Sequence, residues 1–174
     1  AVSCRRMFDG NPHVLPCPIE TAAALYPDAP ALIASSIRCS YRDYHCAVGG
    51  IAAAMRRAGI GEGDVVGLAL APGPEAAIAT MALVRLGAIA FPLNPRLPMA
   101  RVSEALDTAQ CTTVLADDSA TNIPANVHRF AIDAFGGNGF LRAKARTTNR
   151  IPTERPATLV LTSGSTATPK PALL

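Results

Sequence analysis

The run Thr162-Ser163-Gly164-Ser165-Thr166-Ala167-Thr168-Pro169-Lys170 collects hydroxyls, a small glycine and an ammonium directly after the apolar segment Ala157-Thr158-Leu159-Val160-Leu161. Hydroxyls and backbone N-H groups outside a ladder can converge on an anion, and an ammonium balances its charge, so the stretch is suited to holding phosphates. Lys170 is one of two lysines in the chain, the other being Lys144, among 16 basic residues. An amine at this position is therefore not a by-product of composition.

Other readings of the same residues are weaker. Gly164 and Lys170 have the spacing of a Walker phosphate loop, but Pro169 takes the second glycine position and Pro171 the position of the magnesium-binding Ser/Thr. A proline on each side of the lysine also blocks the helix whose N-terminus cradles phosphate in that fold. A hydrolase serine needs an elbow of the form G-x-S-x-G, which Gly164-Ser165-Thr166-Ala167 does not match. His13, His45 and His128 lie far apart in the sequence and read as ordinary surface or core residues. The plain alternative for the run itself is an exposed Ser/Thr-rich connector; the buried-type strand before it and the rare lysine within it argue for an anion site.

Elements must position such a loop, and the chain is long enough to supply them. Its 174 residues make one ordinary domain, 49% hydrophobic and 17% charged, a composition that fits elements buried on both faces and not disorder. The net charge of +3 is small and the arginines are scattered, and only 5% of residues are aromatic, so neither a phosphate track nor a stacking platform for nucleic acid is present. Five cysteines without a C-x-x-C pair read as free thiols, which with the absence of a secretory leader pattern gives the expectation of a cytoplasmic protein. The most apolar stretch, residues 76–93, is interrupted by Arg85, Gly87 and Pro92, so no membrane span is expected.

The pattern along the chain predicts an irregular N-terminal arm ended by Pro16 and Pro18, a short helix over 20–25, and two short strands over 31–35 and 37–39. Ser40 is a good N-cap with Asp43 in the first turn, and Tyr44, Ala47, Val48, Ile51, Ala52, Met55 and Ala58 recur at helical spacing before Gly59. Arg56 and Arg57 fall in the last turn of that helix, on a solvated face. A strand over 65–70, a nearly all-apolar helix over 75–86 and a strand over 88–93 form a right-handed β-α-β unit. A helix over 98–109 and a strand over 112–116 follow. Alternation of this kind predicts an α/β fold with an open, mostly parallel sheet flanked by helices. Residues 117–156 read as a poorly defined surface connection, with 127–132 as a candidate strand, and 157–174 as a strand plus the phosphate loop.

Three stretches, in order, carry a family resemblance. Ser40-Tyr41-Arg42-Asp43-Tyr44 is similar to a "TYREL" helix start, Gly87-Ala88-Ile89-Ala90-Phe91-Pro92-Leu93-Asn94-Pro95 to a "GAVYVPLNP" strand and turn, and residues 161–170 to a "TSGTTGxPKG" phosphate loop. With Gly63-Asp64-Val65-Val66 and Pro74-Glu75 between them, residues 19–174 resemble the N-terminal part of the large domain of the adenylate-forming superfamily of acyl-CoA ligases, luciferases and peptide-synthetase adenylation domains.

The resemblance implies an ATP-dependent, AMP-forming ligation in which a small-molecule carboxylic acid attacks the α-phosphate of magnesium-ATP and a thiol, commonly that of coenzyme A, then displaces AMP. Thr162, Ser163, Gly164, Ser165, Thr166, Ala167, Thr168 and Lys170 would bind the triphosphate. Ala167 stands where the family has glycine, and Pro171 where it usually has another. The second departure also occurs in o-succinylbenzoate-CoA ligases of menaquinone biosynthesis, which makes that subfamily the favoured expectation. The family's adenine, ribose and magnesium motifs and its C-terminal lysine are not found by Leu174. Residues 1–174 are therefore expected to be a partial N-terminal domain, inactive alone. The alternative is a non-catalytic α/β nucleotide-binding or interaction module whose phosphate loop has degenerated.

Overall fold

The computed structural model describes residues 14–34, 37–94, 96–132, 150–152, 155–162 and 170–174. Its centre is a four-stranded, fully parallel sheet in the order β5-β4-β6-β7, with β4 Val65–Ala69, β5 Ile89–Pro92, β6 Thr113–Ala116 and β7 His128–Ala131. The continuous apolar composition of β4, β5 and β6 fits strands covered on both faces. Val66, Leu68, Ala90 and Leu115 turn to one core, Ala69, Ile89, Phe91, Val114 and Ala116 to the other.

The first face is covered by two helices, α2 (Tyr41–Arg57) and α3 (Pro74–Leu86), and the second by α4 (Met99–Thr108), whose Val102, Ala105 and Leu106 are buried. This is the predicted α/β class, an open parallel sheet flanked by helices. The expectation for α2 holds in detail. Ser40 Oγ accepts the Asp43 N-H at 3.2 Å and Asp43 Oδ2 accepts the Ser40 N-H at 3.4 Å, a reciprocal capping box. Arg56 and Arg57 are exposed at its other end. The Tyr44 hydroxyl donates to the Ala77 carbonyl at 3.2 Å, tying α2 to α3. Burial, with smaller effects from Cys39 and Cys17 and an opposing one from Arg85, pushes its phenol up to about 12.

Two glycines are required by geometry. Gly67 lies in the middle of β4, where a Cβ would stand 2.9 Å from Leu93 Cδ1 and 3.0 Å from Val114 Cγ2, so the close approach of the second-face side chains depends on its bareness. Gly87 closes α3 at φ 75°, the left-handed region, and its carbonyl accepts the Gly63 N-H at 2.8 Å, which sets β5 beside β4.

The ends of the chain differ from expectation. The arm read as irregular contains β1 (Val14–Pro16), paired antiparallel with β8 (Arg150–Pro152), and Pro18 lies in the first turn of α1 (Pro18–Leu25). Proline is accommodated because it sits at strand ends in a two-stranded ribbon and at the start of a helix, where no ladder or helix donor is lost. The strands expected over 31–35 and 37–39 are β2 (Pro30–Ala34) and β3 (Ile37–Ser40), an antiparallel pair. In the segment 117–156, read as a surface connection with a candidate strand over 127–132, that strand is present as β7 at the sheet edge, and β8 is an addition that was not expected. In the stretch read as a strand plus loop the strand is present as β9 (Leu159–Thr162), and a further strand that was not expected, β10 (Lys170–Leu173), pairs with it antiparallel.

Candidate functional site

The hairpin is joined to the parallel sheet beyond β5. Ala90 and Thr158 form a parallel bridge, and the Ala90 N-H donates to the Ala157 carbonyl at 3.0 Å. Strand β9 therefore runs in the direction of β4, β5, β6 and β7, and its carboxyl end faces the edge at which β5 ends in Pro92-Leu93-Asn94. Leu159 is buried in the second core, with Leu161 packed against it. On the far strand Leu174 locks the base, its N-H donating to Thr158 at 2.8 Å and its carbonyl accepting the Ala157 and Thr158 N-H groups at 2.7 and 3.0 Å.

Thr162 and Lys170 are cross-strand partners at the other end of this hairpin. The residues between them, 163–169, are thus closed at their base by one backbone pair, which brings the two ends of the sequence-read loop together. Lys170 is exposed. Ser163, Gly164, Ser165, Thr166, Ala167 and Thr168 lie outside the described residues, as does the Thr162 side chain. From Lys170 the chain runs as a strand, Lys170–Leu173, where a Walker loop would continue into a helix, in keeping with a proline on each side of the lysine.

A further residue at the same sheet edge was not singled out in the sequence. The chain passes from β4 through α3 to β5 on one side, and from β6 to β7 on the other, which makes the gap between the carboxyl ends of β4 and β6 a topological switch point. Asp117 follows β6 and spans that gap. Its Oδ2 accepts the Ala71 N-H at 2.6 Å, and its Oδ1 accepts the Ser119 N-H at 2.8 Å and the Ser119 hydroxyl. Partial burial works against its charge, yet hydrogen bonds from Ala71, Ser119 and Ala120 outweigh it and hold the carboxyl below the usual range. An Asp-Asp-Ser run after an apolar strand was the signal that could have found it.

Against the first face lies a second polar cluster. Arg85 of α3 is 7% exposed and donates to the His45 carbonyl, to His45 Nδ1 and to Cys17 Sγ, each at 3.4 Å. A guanidinium can only donate, so Nδ1 accepts and the His45 proton resides on Nε2. Burial, reinforced by the Arg85 charge and opposed by Glu20, lowers the His45 pKa. His45 is thus a structural residue of the helical layer, and His128, on β7, is exposed. Cys17, Cys39, Cys46 and Cys111 are free.

Compared with protein families, residues 19–174 match the model described as "AMP-binding enzyme". The chain belongs to this family. Among curated relatives, the hybrid PKS-NRPS synthetase apdA of Emericella nidulans is 32% identical over 150 residues, 86% of this chain and 4% of that protein. The dimodular nonribosomal peptide synthase of Bacillus subtilis is 31% identical over 174 residues, 94% of this chain and 7% of that protein. The N-terminal subdomain of NpsA from Klebsiella oxytoca superposes with a TM-score of 0.79 at 25% identity, over 89% of this chain and 40% of that chain. The fold is shared with the o-succinylbenzoate coenzyme A synthetase MenE of Bacillus subtilis, solved with AMP, at a TM-score of 0.79 and 23% identity, over 91% of this chain and 42% of that one. The chain therefore spans a small part of these curated relatives and about two fifths of the solved ones. No helix among the described residues is long and apolar enough to cross a membrane.

Proposed function

We propose that this chain is the triphosphate-holding part of an enzyme that adenylates a carboxylic acid, the partial N-terminal domain of a longer ligase. The observation that carries the reading is the hairpin: within an AMP-binding family chain, residues 163–169 are closed between Thr162 and Lys170 at the carboxyl edge of a parallel sheet, the edge at which open α/β folds bind their ligands.

In the reaction, a carboxylate oxygen attacks the α-phosphorus of ATP and the bond to the bridging oxygen breaks. An acyl-adenylate forms and pyrophosphate leaves. Negative charge accumulates on the leaving pyrophosphate, and this chain's part is to meet it. The hydroxyls of Thr162, Ser163, Ser165 and Thr166, the N-H groups around Gly164, Ala167 and Thr168, and the ammonium of Lys170 are the donors. The cross-strand pair of Thr162 and Lys170 fixes where the loop begins and ends. Magnesium enters with ATP as a substrate complex. Among the described residues no three of His, Cys, Asp and Glu group as metal ligands.

A thiol then takes the acyl group. Coenzyme A is the acceptor in the reading based on the residue after Lys170, and the shared fold of MenE is compatible with an o-succinylbenzoate substrate. The peptide-synthetase relatives, more similar in sequence, together with the NpsA adenylation domain solved as an artificial fusion to a PCP, support instead a thiol on such a fused PCP domain. Pyrophosphate exchange in the complete protein tests the common step. Lys170→Ala is expected to lower the exchange rate at least a hundredfold, on the order of 3 kcal/mol. Exchange at the parental rate would refute the assignment. Ala167→Gly is expected to raise the rate by up to about fivefold if the methyl group strains the backbone by ~1 kcal/mol. Purified 1–174 alone is expected to form no acyl-adenylate.

A further inference from the structure

At the amino edge of the parallel sheet, where β4, β6 and β7 begin, lies a cavity of about 580 Å³, within the size range of small-molecule sites. Helices α2 and α4 cover opposite faces of the sheet, and each leads by a short link into the start of a strand, so both end at this edge. They close in the same way. After α2 the Gly59 and Ile60 N-H groups donate to the Arg56 and Met55 carbonyls at 3.1 and 3.0 Å, and after α4 the Gln110 and Cys111 N-H groups donate to those of Asp107 and Leu106 at 3.1 and 2.9 Å. The carbonyls of Ala58 and Ala109, both residues of the cavity wall, accept no hydrogen bond among the described residues. Two negative helix ends therefore meet there.

The two ends differ in one residue. The left-handed position that closes α2 is Gly59, at φ 90°, whereas the matching position of α4 is Gln110, at φ 50°. A residue with a Cβ is strained in that region, and Gln110 is the one non-glycine found in it among the described residues. What the strain accompanies is an amide on the cavity wall that has no partner among the described residues. Asp64 lines the same wall: its Oδ2 accepts the Gly61 N-H at 2.8 Å, and among the described residues no cation pairs with it. The last turn of α4 has no basic residue, and Arg56 and Arg57 at the end of α2 do not line the cavity.

We propose that this cavity binds a small aliphatic diammonium ion, its ammonium groups on the Asp64 carboxylate, the Ala58 and Ala109 carbonyls and the Gln110 amide oxygen, its methylenes on Val65 and Phe130. An ammonium has donors and no acceptor, which suits a wall of acceptors. A helix end counts for about half a negative charge, so two of them and a carboxylate match a dication. The inference goes beyond adenylation and does not rest on it, since the hairpin lies at the other edge. Nor would such binding follow from the charge of the whole chain, which is +3 and repels cations.

Calorimetric titration of the complete protein at low salt tests the site with 1,4-diaminobutane and its neutral counterpart 1,4-butanediol. The diamine is expected to bind at least about tenfold more tightly than the diol. Asp64→Asn keeps an oxygen for the Gly61 N-H and should weaken the diamine about tenfold. Gln110→Gly should weaken it severalfold without lowering the melting temperature, a split that a purely structural glutamine would not give. Asp118→Asn removes the same charge from an exposed position after β6, at the other edge, and should leave diamine binding unchanged. Failure of the diamine to bind, equal binding of the diol, or a loss in Asp118→Asn as large as that in Asp64→Asn would overturn the proposal. Since no turnover is measured, these outcomes are independent of the pyrophosphate-exchange result.

Discussion

The central strands β4 and β6 and the hairpin β9-β10 are built from similar apolar residues and treat them in opposite ways. Val66, Ala69, Val114, Leu115 and Ala116 are all fully buried, whereas Val160 is 40% exposed and Leu173 57%. The strands of the first pair are held by side-chain packing from both faces. The hairpin is held by its own ladder, by Leu159 and by backbone bonds at Leu174. Hydroxyls, N-H groups and an ammonium cannot be stored in the first environment without a desolvation penalty, and they can in the second. In this chain the sheet centre supplies position and the hairpin supplies donors.

That division is open to attack, first where the effect is greatest. Leu115→Ala removes a side chain with no accessible surface from the centre of β6, and is expected to lower unfolding stability by about 3 kcal/mol. Chemical denaturation measures it, and a loss under ~1 kcal/mol would mean that the sheet centre is not where the stability resides. Lys170→Ala is the converse. It is expected to leave stability within ~0.5 kcal/mol of the parent, as an exposed change does, while removing the exchange activity. A melting temperature that fell in step with activity would show the lysine to be part of the scaffold, and the two regions to be less separate than their burial indicates.

Between these extremes lies the cap of α2. Ser40→Ala removes the Oγ that accepts the Asp43 N-H, leaving the residue-40 backbone N-H free to donate to Asp43, and is expected to cost about 1 kcal/mol. The helix must still form, because Val48, Ile51 and Met55 are buried against the first face. Far-UV circular dichroism at low temperature should therefore match the parent even as the unfolding midpoint falls.

Legibility followed the same division. The elements around the sheet centre could be read because cause and effect are local: a capping Ser40 with Asp43 at helix spacing, an unbroken apolar β4, a Gly87 that stops α3. Strands β1 and β8 could not, because each has three residues, each ends in proline, and their pairing joins Val14 to Pro152 across most of the chain. Nor could β10, whose Lys-Pro-Ala-Leu lacks both alternation and β-branched residues. The hydroxyl-and-lysine composition of 162–170 was visible, but the pairing of Thr162 with Lys170 was not, since it depends on that unreadable strand. Asp117 was missed for a related reason: its partner, the Ala71 N-H, is a backbone group on a distant loop that no side-chain pattern encodes.

The smallest test of the division is made with pH. His45 in the helical layer has a lowered pKa, so the folded state binds its proton less readily than the unfolded chain, and stability from the neutral ring is present above pH 6.5. That contribution is expected to be lost progressively as pH falls below 6.5 towards the folded pKa, as the Arg85 charge beside Nδ1 comes to face an imidazolium. Asp117 at the sheet edge is also lowered, but from an ordinary value of 3.8, so its contribution persists through this window and is lost only in stronger acid. Denaturant midpoints between pH 7.5 and 5 should therefore fall in the parent and flatten in His45→Asn, whose side-chain oxygen can still accept from Arg85 but cannot charge. The same series in Asp117→Asn should retain the slope of the parent. If the slope vanished in Asp117→Asn instead, the titrating group would lie at the ligand edge, and the helical layer would not be the pH-sensitive part of the scaffold.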